Sequence, residues 1–304
     1  MKHYFIVNPA AGKTDSFKAL TEKLKTISAN YEIYVTKGKD DAIRFISERC
    51  TELSYERLRF YACGGDGTIN EVVNGAYGYE NAEVSCYPCG SGNDFIKYYG
   101  GKERFLDIEE LINAKAFPID LIKVGKRYSV NVVNFGFDAY ACETMNEIKK
   151  KPFIGGNNAY YSGVVKALLF AMKSKAKIYA DGELLNEKGE FLLCSAANGK
   201  YYGGSFFCAP KSDNTDGLME VCLIKPISRF RFLTLVKAYE NGEHLDNRRF
   251  GDILVYRRAK TLEIKTDSDV VVSIDGEITK VKGFTCEIIP KGINFAAPHF
   301  NVKI

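Results

Sequence analysis

Residues 58–71 read LRFYACGGDGTINE, an apolar run followed directly by closely spaced glycines. The run from Leu58 to Cys63 predicts a buried strand, and apolar residues recur at helical spacing after the glycines. Thr68, followed three residues later by Glu71, fits a capping box, which predicts a helix with Thr68 at its N-cap. The sequence therefore predicts a strand, a glycine turn and a helix in immediate succession.

The chain around this segment divides into two parts of different character. From residue 4 to about residue 121, short apolar runs alternate with helical periodicity, which is typical of the βα units of a parallel sheet. The other strands predicted there are Tyr4–Val7, Tyr31–Val35 and Glu83–Tyr87. After about residue 124, short β-rich segments bounded by turn residues predominate, which indicates an antiparallel sandwich or barrel.

The β-rich part is predicted to hold seven strands and two helices. The strands are Tyr128–Asn134, Lys177–Ala180, Phe191–Ala196, Leu218–Ile224, Leu262–Thr266, Val270–Ile274 and Thr285–Ile289, and the helices are Asn158–Met172 and Ile227–Glu240. The predicted fold class is therefore α/β plus all-β. An α/β domain is expected over residues 1–124 and an antiparallel β domain over residues 125–290.

Composition sets limits on the class of function. At 304 residues and 34.0 kDa, the chain is long enough for two domains. Its 42 Lys and Arg residues against 38 Asp and Glu residues give a net charge of +4, which is too small to indicate a nucleic-acid partner. Nine cysteines at irregular spacing, without an export signal, favour a reducing cytoplasmic location. The longest apolar stretch, Ala159–Met172, is shorter than the ~20 residues of a membrane-spanning helix.

The glycine turn at residues 64–67 has the features of a phosphate-binding loop. Unbonded N–H groups at a helix start and the helix dipole attract anions, and glycines let a phosphate approach the backbone. Asp66 lies among these glycines, and because its carboxylate would repel bare phosphate, it indicates Mg²⁺ held between the protein and a nucleotide. A tight turn that binds nothing is the alternative interpretation.

Two more polar loops follow predicted strands of the first domain. Residues 8–13 follow the first strand, and residues 89–95 form a second glycine loop after the fourth. The carboxyl ends of parallel strands meet at one edge of a sheet, where ligands of open α/β sheets bind. The second glycine loop could therefore share a ligand with residues 64–67, with Ser91 donating to phosphate and Asp94 near the transferring group. Taken singly, each loop is also compatible with an ordinary turn.

These motifs, together with others further along the chain, resemble the catalytic domain of the diacylglycerol kinase and sphingosine kinase family. The motifs are Asn8-Pro9 with Gly12-Lys13, Gly64–Thr68, Gly90–Phe95, Asn134–Asp138, Asn198-Gly199 with Gly203-Gly204, Ala209-Pro210, Asp213–Leu218 and Asp275-Gly276-Glu277. They follow the family's order over nearly the whole chain, and in detail they are most similar to the soluble bacterial lipid kinases. The resemblance implies an N-terminal domain like that of NAD kinases and a C-terminal β-sandwich. It also implies that residues 291–304 return to the first domain and that ATP and lipid meet in the cleft between the domains.

The resemblance further implies the residues of an active site. The nucleotide contacts would be Asn8, Thr36, Gly64, Gly65, Asp66, Gly67, Thr68, Ile69, Asn70 and Ser91. Asp275 would be the general base that takes the proton of the acceptor hydroxyl, and Glu277 would orient it. From its own sequence, Asp275-Gly276 predicts a hairpin turn. Asp66 and Asp94 would help to hold the Mg²⁺ of the nucleotide, in roles that the sequence does not divide between them.

A structural Mg²⁺ and contact with a membrane complete these expectations. Similar bacterial kinases carry Mg²⁺ in the corresponding acidic loop, which here would offer Asp213, Asp216 and the carbonyl of Leu218; a solvated acidic turn is the alternative. Four basic clusters could hold a lipid-modifying enzyme on an anionic bilayer if they shared one side, and otherwise form solvated surface. They lie at residues 149–151, 173–177, 248–249 and 257–258.

Together, the motifs predict a cytoplasmic, ATP- and Mg²⁺-dependent lipid kinase that makes transient contact with the inner membrane surface. The expected acceptor is the primary hydroxyl of a lipid alcohol, with diacylglycerol converted to phosphatidic acid for phospholipid synthesis. No nucleic-acid partner is expected, and a homodimer is left open. One alternative is an NAD kinase, which in similar sequences shares the first glycine loop but lacks the second and the late Asp-Gly-Glu motif. The other is a catalytically silent regulator that binds lipid or nucleotide on the same scaffold.

Overall fold

The computed structural model describes residues 1–11, 14–149 and 165–299, without the side chains of residues 14–16 and 149. Its contacts divide the chain into two units. Unit 1 is Met1–Leu121 together with the end of the chain from Ile289, and unit 2 is Ile122–Ile288. The division expected from the sequence lies at residues 124/125 and at about 290/291.

Unit 1 has a parallel sheet whose strands alternate with helices. Its strands are β1 (Lys2–Val7), β2 (Tyr31–Val35), β3 (Leu58–Gly64) and β4 (Ala82–Pro88), in the order β2-β1-β3-β4. The helices are α1 (Thr14–Leu24), α2 (Asp41–Glu52), α3 (Asp66–Ala76) and α4 (Ile108–Asn113), with short 3₁₀ helices at Phe95–Tyr99 and Lys102–Phe105. All four strands predicted from apolar runs are present, and the α/β class of this part is confirmed.

Apolar packing on both faces of this sheet explains why its strands are almost continuously hydrophobic. Tyr4 stacks on Phe60 of the neighbouring strand and packs edge-on against Phe45 of α2. The next residue along the chain, Phe5, points to the opposite face and stacks on Tyr61 at a centroid distance of 4.4 Å. Because a parallel sheet is buried on both faces, every residue of β3 and β4 is buried.

Unit 2 contains two antiparallel sheets that enclose one apolar core, and a separate two-stranded pair. Its strands are β5 (Ala116–Val124), which begins in unit 1, β6 (Arg127–Ser129), β7 (Val132–Gly136), β8 (Ser174–Lys175), β9 (Lys177–Ala180), β10 (Glu183–Leu184), β11 (Glu190–Phe191), β12 (Leu193–Ala197), β13 (Met219–Ile224), β14 (Leu254–Ala259), β15 (Thr261–Lys265), β16 (Val270–Ile274), β17 (Glu277–Val281) and β18 (Phe284–Ala296), which ends in unit 1. One sheet has the order β14-β13-β12-β7-β16-β17, and the other contains β10-β9-β15-β18. Ile178 and Ile264 of one sheet share a core cluster with Val133 and Val272 of the other, and the predicted sandwich is confirmed.

The helices of unit 2 are α5 (Phe137–Lys149), α6 (residues 165–170) and α7 (Arg229–Glu240), with 3₁₀ helices at Glu243–Leu245 and Arg248–Phe250. The helix predicted at Asn158–Met172 begins outside the described residues, and α6 lies within its described part. Across residues 1–11, 14–149 and 165–299, every helix is too short or too polar to cross a bilayer.

Some strands of unit 2 differ from the prediction for identifiable reasons. The single strand predicted at Tyr128–Asn134 is two strands, β6 and β7, because the N–H groups of residues 130–132 donate to a carboxylate instead of to a neighbouring strand. The sequence does not predict β14 or β17, since their many exposed polar and basic residues interrupt the apolar alternation on which the prediction depends.

Candidate active site

Polar loops meet at the carboxyl edge of the parallel sheet in unit 1. The strand register aligns Val7 at the end of β1 with Val35 of β2 and Cys63 of β3. The backbone N–H of Thr36 donates to the Val7 carbonyl at 2.9 Å, and the N–H of Asn8 donates to the Cys63 carbonyl at 3.2 Å. The loops that follow β1, β2 and β3 therefore open side by side, and the loop after β4 joins them through the pairing of β3 with β4.

The two glycine loops are in direct backbone contact. The Gly64 carbonyl accepts hydrogen bonds from the N–H groups of Cys89 and Gly90, at 2.9 and 3.0 Å. A β-carbon on Gly90 would lie 2.4 Å from the Cα of Gly65, which is closer than side chains approach backbone. The contact between the loops therefore requires glycine at this position, in addition to any access that the glycines give to a ligand.

The helix after the first glycine loop begins earlier than the capping box predicts. Gly65 is the N-cap of α3, and its carbonyl accepts from the N–H of Thr68 at 3.0 Å. Thr68 therefore lies inside the first turn, where its hydroxyl accepts a hydrogen bond from the Asn8 side chain at 3.3 Å. Glu71 accepts from the backbone N–H of Asp40. The capping-box prediction is wrong, because a glycine takes the N-cap place and α3 starts within the loop itself.

Asp66 and Asp94, both expected near the Mg²⁺ of a nucleotide, lie close to the same point of the second glycine loop. A β-carbon on Gly92 would be 3.0 Å from Asp66 Oδ2 and 3.6 Å from Asp94 Oδ2. Asp66 Oδ1 also accepts from the Phe95 N–H at 3.2 Å, and Lys97 pairs with Asp94 Oδ1 at 2.5 Å. Two carboxylates beside a helix N-terminus fit Mg²⁺, which prefers oxygen ligands and keeps several waters.

The other nucleotide contacts implied by the resemblance differ in what they can offer a ligand. Thr68, Ile69 and Asn70 are almost completely buried, and the N–H groups of Thr68 and Ile69 donate to the Gly65 carbonyl, at 3.0 and 3.1 Å. Ser91 is exposed in the second glycine loop, whereas Thr36 is buried beside the end of β1. Of these side chains, that of Ser91 is therefore the most accessible to a phosphate beside the start of α3.

Asp275 lies in a two-residue hairpin turn of unit 2 and is 7% exposed. Asp275 and Gly276 both have positive φ, at 49° and 90°, and Ile274 pairs with Glu277 across the turn. Left-handed conformation at both turn residues is typical of a type I′ hairpin, and the turn predicted from the Asp-Gly pair is confirmed. Glu277 is exposed at the start of β17.

Four hydrogen bonds hold the Asp275 carboxylate. The Ser129 hydroxyl donates to it at 2.6 Å, and the backbone N–H groups of Val130, Asn131 and Val132 donate at 2.9, 3.1 and 3.0 Å. These bonds stabilise the negative charge of the carboxylate and fix its orientation. The role of Ser129 is not predicted from the sequence. The feature that could have indicated it is the pair of polar residues, Ser129 and Asn131, within an otherwise apolar run.

Asp138 is a second acidic residue of unit 2 that the sequence assigns to a motif but to no role. The Tyr202 hydroxyl donates to Asp138 Oδ2 at 2.5 Å, and Tyr202 stacks on Phe206. Burial raises the pKa of Asp138 to about 6, although the hydrogen bond from Tyr202 acts in the opposite direction. Asp138 is therefore a carboxyl group that titrates near neutrality beside aromatic side chains, a combination often found at functional sites.

The loop expected to bind a structural Mg²⁺ is held together by its own side chains. Asp213 Oδ1 accepts from the N–H and the hydroxyl of Thr215, at 3.0 and 2.7 Å, and Asp216 Oδ1 accepts from the Leu218 N–H at 3.0 Å. Burial raises the pKa of Asp216, and the nearby Asp213 carboxylate acts in the same direction, whereas Arg258 opposes them. Two carboxylates that repel each other in a short loop fit a hard cation. No group of three His, Cys, Asp or Glu side chains in the described ranges could hold a metal, so a cation here would also need carbonyl or water oxygens.

Comparisons with known proteins agree with this architecture. Residues 2–124 match the family model of the diacylglycerol kinase catalytic domain, and residues 131–297 match that of the YegS C-terminal NAD kinase beta sandwich-like domain. A protein of Shewanella frigidimarina (strain NCIMB 400) that carries the name "Probable lipid kinase YegS-like" is 30% identical over 92% of this chain and 87% of its own. A diacylglycerol kinase of Bacillus subtilis (strain 168) is 28% identical over 90% of this chain and 88% of its own.

Solved structures share the fold. A diacylglycerol kinase from Bacillus anthracis strain Sterne covers 97% of this chain and 96% of its own, with a TM-score of 0.69 at 21% identity. A second protein of that strain covers 97% of both chains, with a TM-score of 0.76 at 24% identity.

The two matching domains and the similar relatives define the class as lipid kinases. The chain belongs to the diacylglycerol kinase family.

Proposed function

We propose that this lipid kinase transfers the γ-phosphate of ATP to the primary hydroxyl of diacylglycerol and releases phosphatidic acid. The observation that carries the proposal is the backbone contact between the two glycine loops, with Asp66 and Asp94 beside the start of α3. Backbone N–H groups and the helix dipole at this place suit a nucleotide phosphate. The similarity to a Bacillus subtilis protein named as a diacylglycerol kinase supports the choice of acceptor.

Asp66 and Asp94 are the proposed holders of the Mg²⁺ that accompanies ATP, directly or through water. When bound, this ion would neutralise charge on the β- and γ-phosphates during transfer. The chain itself keeps the two carboxylates in place, because the Phe95 N–H donates to Asp66 and Lys97 pairs with Asp94. The buried position of Asp94, with 7% exposure, further limits the conformations that it can adopt.

Asp275 is the proposed general base. As the acceptor oxygen bonds to phosphorus, its O–H bond breaks, the proton passes to the Asp275 carboxylate, and ADP leaves. These hydrogen bonds stabilise the charge of the carboxylate but also occupy its oxygens. We infer that the acceptor hydroxyl replaces the Ser129 hydroxyl, because a hydroxyl can rotate away whereas the three backbone donors are fixed. Glu277 is proposed to orient the base from the same hairpin.

Transfer of labelled phosphate from ATP to a panel of acceptors in detergent micelles tests the proposal. The panel contains diacylglycerol, monoacylglycerol, sphingosine and NAD⁺, each with and without MgCl₂. The proposal predicts labelled phosphatidic acid that forms only with Mg²⁺. Label in another lipid but not in phosphatidic acid would overturn the choice of acceptor. Labelled NADP would favour an NAD kinase, and no labelled product would favour the silent regulator.

A further inference from the structure

Two helices of unit 2 expose large apolar side chains to solvent. In α7, Phe230 is 79% exposed and Leu233 is 61% exposed. In α6, Leu169 is 55% exposed and Phe170 is 71% exposed. Groups of large exposed apolar residues are uncommon on soluble proteins and mark surfaces that bind a partner. We name these four residues the outer apolar face.

Contacts between the two helices place these residues on one surface. The Arg229 guanidinium at the start of α7 donates to the carbonyls of Leu168 and Leu169, at 2.7 and 2.8 Å. The inner residues Ala167 of α6 and Phe232 of α7 belong to the same buried core cluster. Because both helices bury their inner sides in one core and join at Arg229, their exposed side chains lie on the outer side of a single helix pair.

The surroundings of the outer apolar face are strongly basic. Lys166 lies in α6 and Lys173 follows this helix closely, and residues 225–237 contain two lysines, two arginines and no acidic residue. Lys237 follows Phe230 by seven positions and Leu233 by four, so it lies on the same side of α7. Arg249, from the adjacent 3₁₀ helix, donates to the Thr234 carbonyl at 3.1 Å, which brings the Arg248-Arg249 pair to this helix.

Acidic partners offset only part of this charge. Arg231 pairs with Asp252, Lys237 with Glu240, Lys173 with Glu190, and Lys166 with Glu147 at a longer 3.9 Å. These acidic groups come from the ends of helices and from neighbouring elements, and residues 225–237 themselves contain no acidic residue. The face therefore combines apolar side chains with an excess of positive charge.

We propose that the outer apolar face docks on an anionic lipid bilayer. Its four apolar side chains would enter the interface, and the surrounding Lys and Arg side chains would lie at the headgroups. The proposal rests on the proposed function in one respect, since the acceptor of the reaction is a lipid of the bilayer. A second copy of the chain is the less suitable occupant, because two identical basic faces would repel each other.

Co-sedimentation with lipid vesicles tests the docking surface. The vesicles contain phosphatidylcholine alone or phosphatidylcholine mixed with anionic phosphatidylglycerol. The double variant Phe230→Ser/Leu233→Ser is expected to lower the partition coefficient on the mixed vesicles by about tenfold or more, because it removes apolar side chains from the interface. The double variant Lys237→Glu/Arg248→Glu is expected to lower it similarly on mixed vesicles, but not on neutral ones.

Tyr55→Ser is the matched control, since Tyr55 is a fully exposed aromatic residue of unit 1. It is expected to leave the partition coefficient unchanged. Equal partitioning of the wild-type protein and the Phe230→Ser/Leu233→Ser variant would overturn the proposal. A wild-type dimer that this variant dissociates in sedimentation velocity, without vesicle binding by either protein, would instead assign the face to a second copy. The thermal midpoint of each variant shows whether it is folded.

Phosphate transfer in detergent micelles separates this proposal from the proposed function. The Phe230→Ser/Leu233→Ser variant is expected to keep its activity on diacylglycerol in micelles while losing its binding to vesicles. If the wild-type protein transfers phosphate in micelles but binds vesicles no better than the variant, the docking surface is wrong and the function stands. If vesicle binding depends on Phe230 and Leu233 but no lipid is phosphorylated, the function is wrong and the surface stands.

Discussion

Gly90 provides a residue-scale test of the contact between the two glycine loops. In Gly90→Ala, the new β-carbon would lie 2.4 Å from the backbone of Gly65, so one loop must move. Overpacking of this kind costs about 1–3 kcal/mol in the free energy of unfolding. We expect urea unfolding to show this loss. We also expect calorimetry to show weaker ATP binding, because the movement separates the elements that carry Asp66 and Asp94.

Gly38→Ala is the matched control for this substitution. A β-carbon on Gly38 would have no other atom within 4 Å. The substitution should change the free energy of unfolding by less than about 0.5 kcal/mol and leave the ATP affinity unchanged. Equal losses of stability and of ATP affinity in Gly38→Ala and Gly90→Ala would contradict the account of the loop contact.

Asp138 leads to a prediction about the pH dependence of stability. Its pKa in the folded state is raised to about 6, chiefly by burial, so the folded state binds this proton more tightly than the unfolded state does. The stability that this group contributes is present at low pH and is lost as the pH rises through about 6. Relative to Asp138→Asn, the wild-type protein should therefore lose up to about 3 kcal/mol in the free energy of unfolding between pH 4 and pH 7.5.

Urea unfolding of both proteins at these two pH values measures the difference. Asp269→Asn, at an exposed position of the same unit, is the control and should show no such pH dependence relative to the wild-type protein. A constant difference between Asp138→Asn and the wild-type protein across the pH range would show that the Asp138 pKa is not raised.

At the residue scale, the sequence predicts which side chains matter better than it predicts their partners. The glycines of both loops and Asp66 stand out from their spacing alone. The hydrogen bond between Asn8 and Thr68 and the bonds from residues 129–132 to Asp275 join positions far apart in the chain. Local patterns carry no information about such long-range pairs, so these contacts could be read only from the structure.

At the scale of elements, the loop with Asp213 and Asp216 is expected to bind Mg²⁺ and to stabilise unit 2. A cation would relieve the repulsion between the two carboxylates and the cost of burying Asp216. Addition of MgCl₂ should raise the thermal midpoint of the wild-type protein by about 2–4 °C, which corresponds to about 1 kcal/mol. In Asp213→Asn, calorimetry should show almost none of this rise.

Asp246→Asn serves as the control for the loop, since it removes an exposed carboxylate of the same unit. It should keep the full response to MgCl₂. The same rise in Asp213→Asn and in the wild-type protein would place the effect of Mg²⁺ elsewhere and favour the solvated acidic turn.

Strands with apolar runs are predicted well, and strands with polar or basic residues are not. The runs that give β1, β3 and β4 are buried on both faces, so the sequence marks them almost to the residue, and the half-exposed edge strand β2 keeps enough apolar residues to be marked as well. The strand β14 carries Arg257 and Arg258 on an exposed edge of its sheet, where burial no longer selects apolar residues. The hairpin at Asp275 is predicted correctly because its turn depends on local backbone conformation alone.

At the scale of the whole molecule, the path of the chain is the feature that periodicity predicts least. In unit 1, Asn294 and Phe295 of β18 pair in parallel with Glu83 and Val84 of β4, and the Ser85 hydroxyl donates to the Ala296 carbonyl at 2.8 Å. Alternation along a strand shows which face is buried but not which strand it pairs with. The family resemblance implies this return of the chain, whereas the apolar pattern alone does not.

Phosphate transfer to diacylglycerol by Asp275→Asn and Asp181→Asn tests the role of the proposed base most directly. Asp181 is the matched control, because it also has positive φ before a glycine in a hairpin of unit 2 and accepts backbone hydrogen bonds from Lys260 and Thr261. The account predicts that Asp275→Asn lowers kcat by about 10²–10⁴-fold with an unchanged KM for ATP, whereas Asp181→Asn keeps wild-type turnover. Wild-type turnover in Asp275→Asn, or an equal loss in both variants, would contradict it.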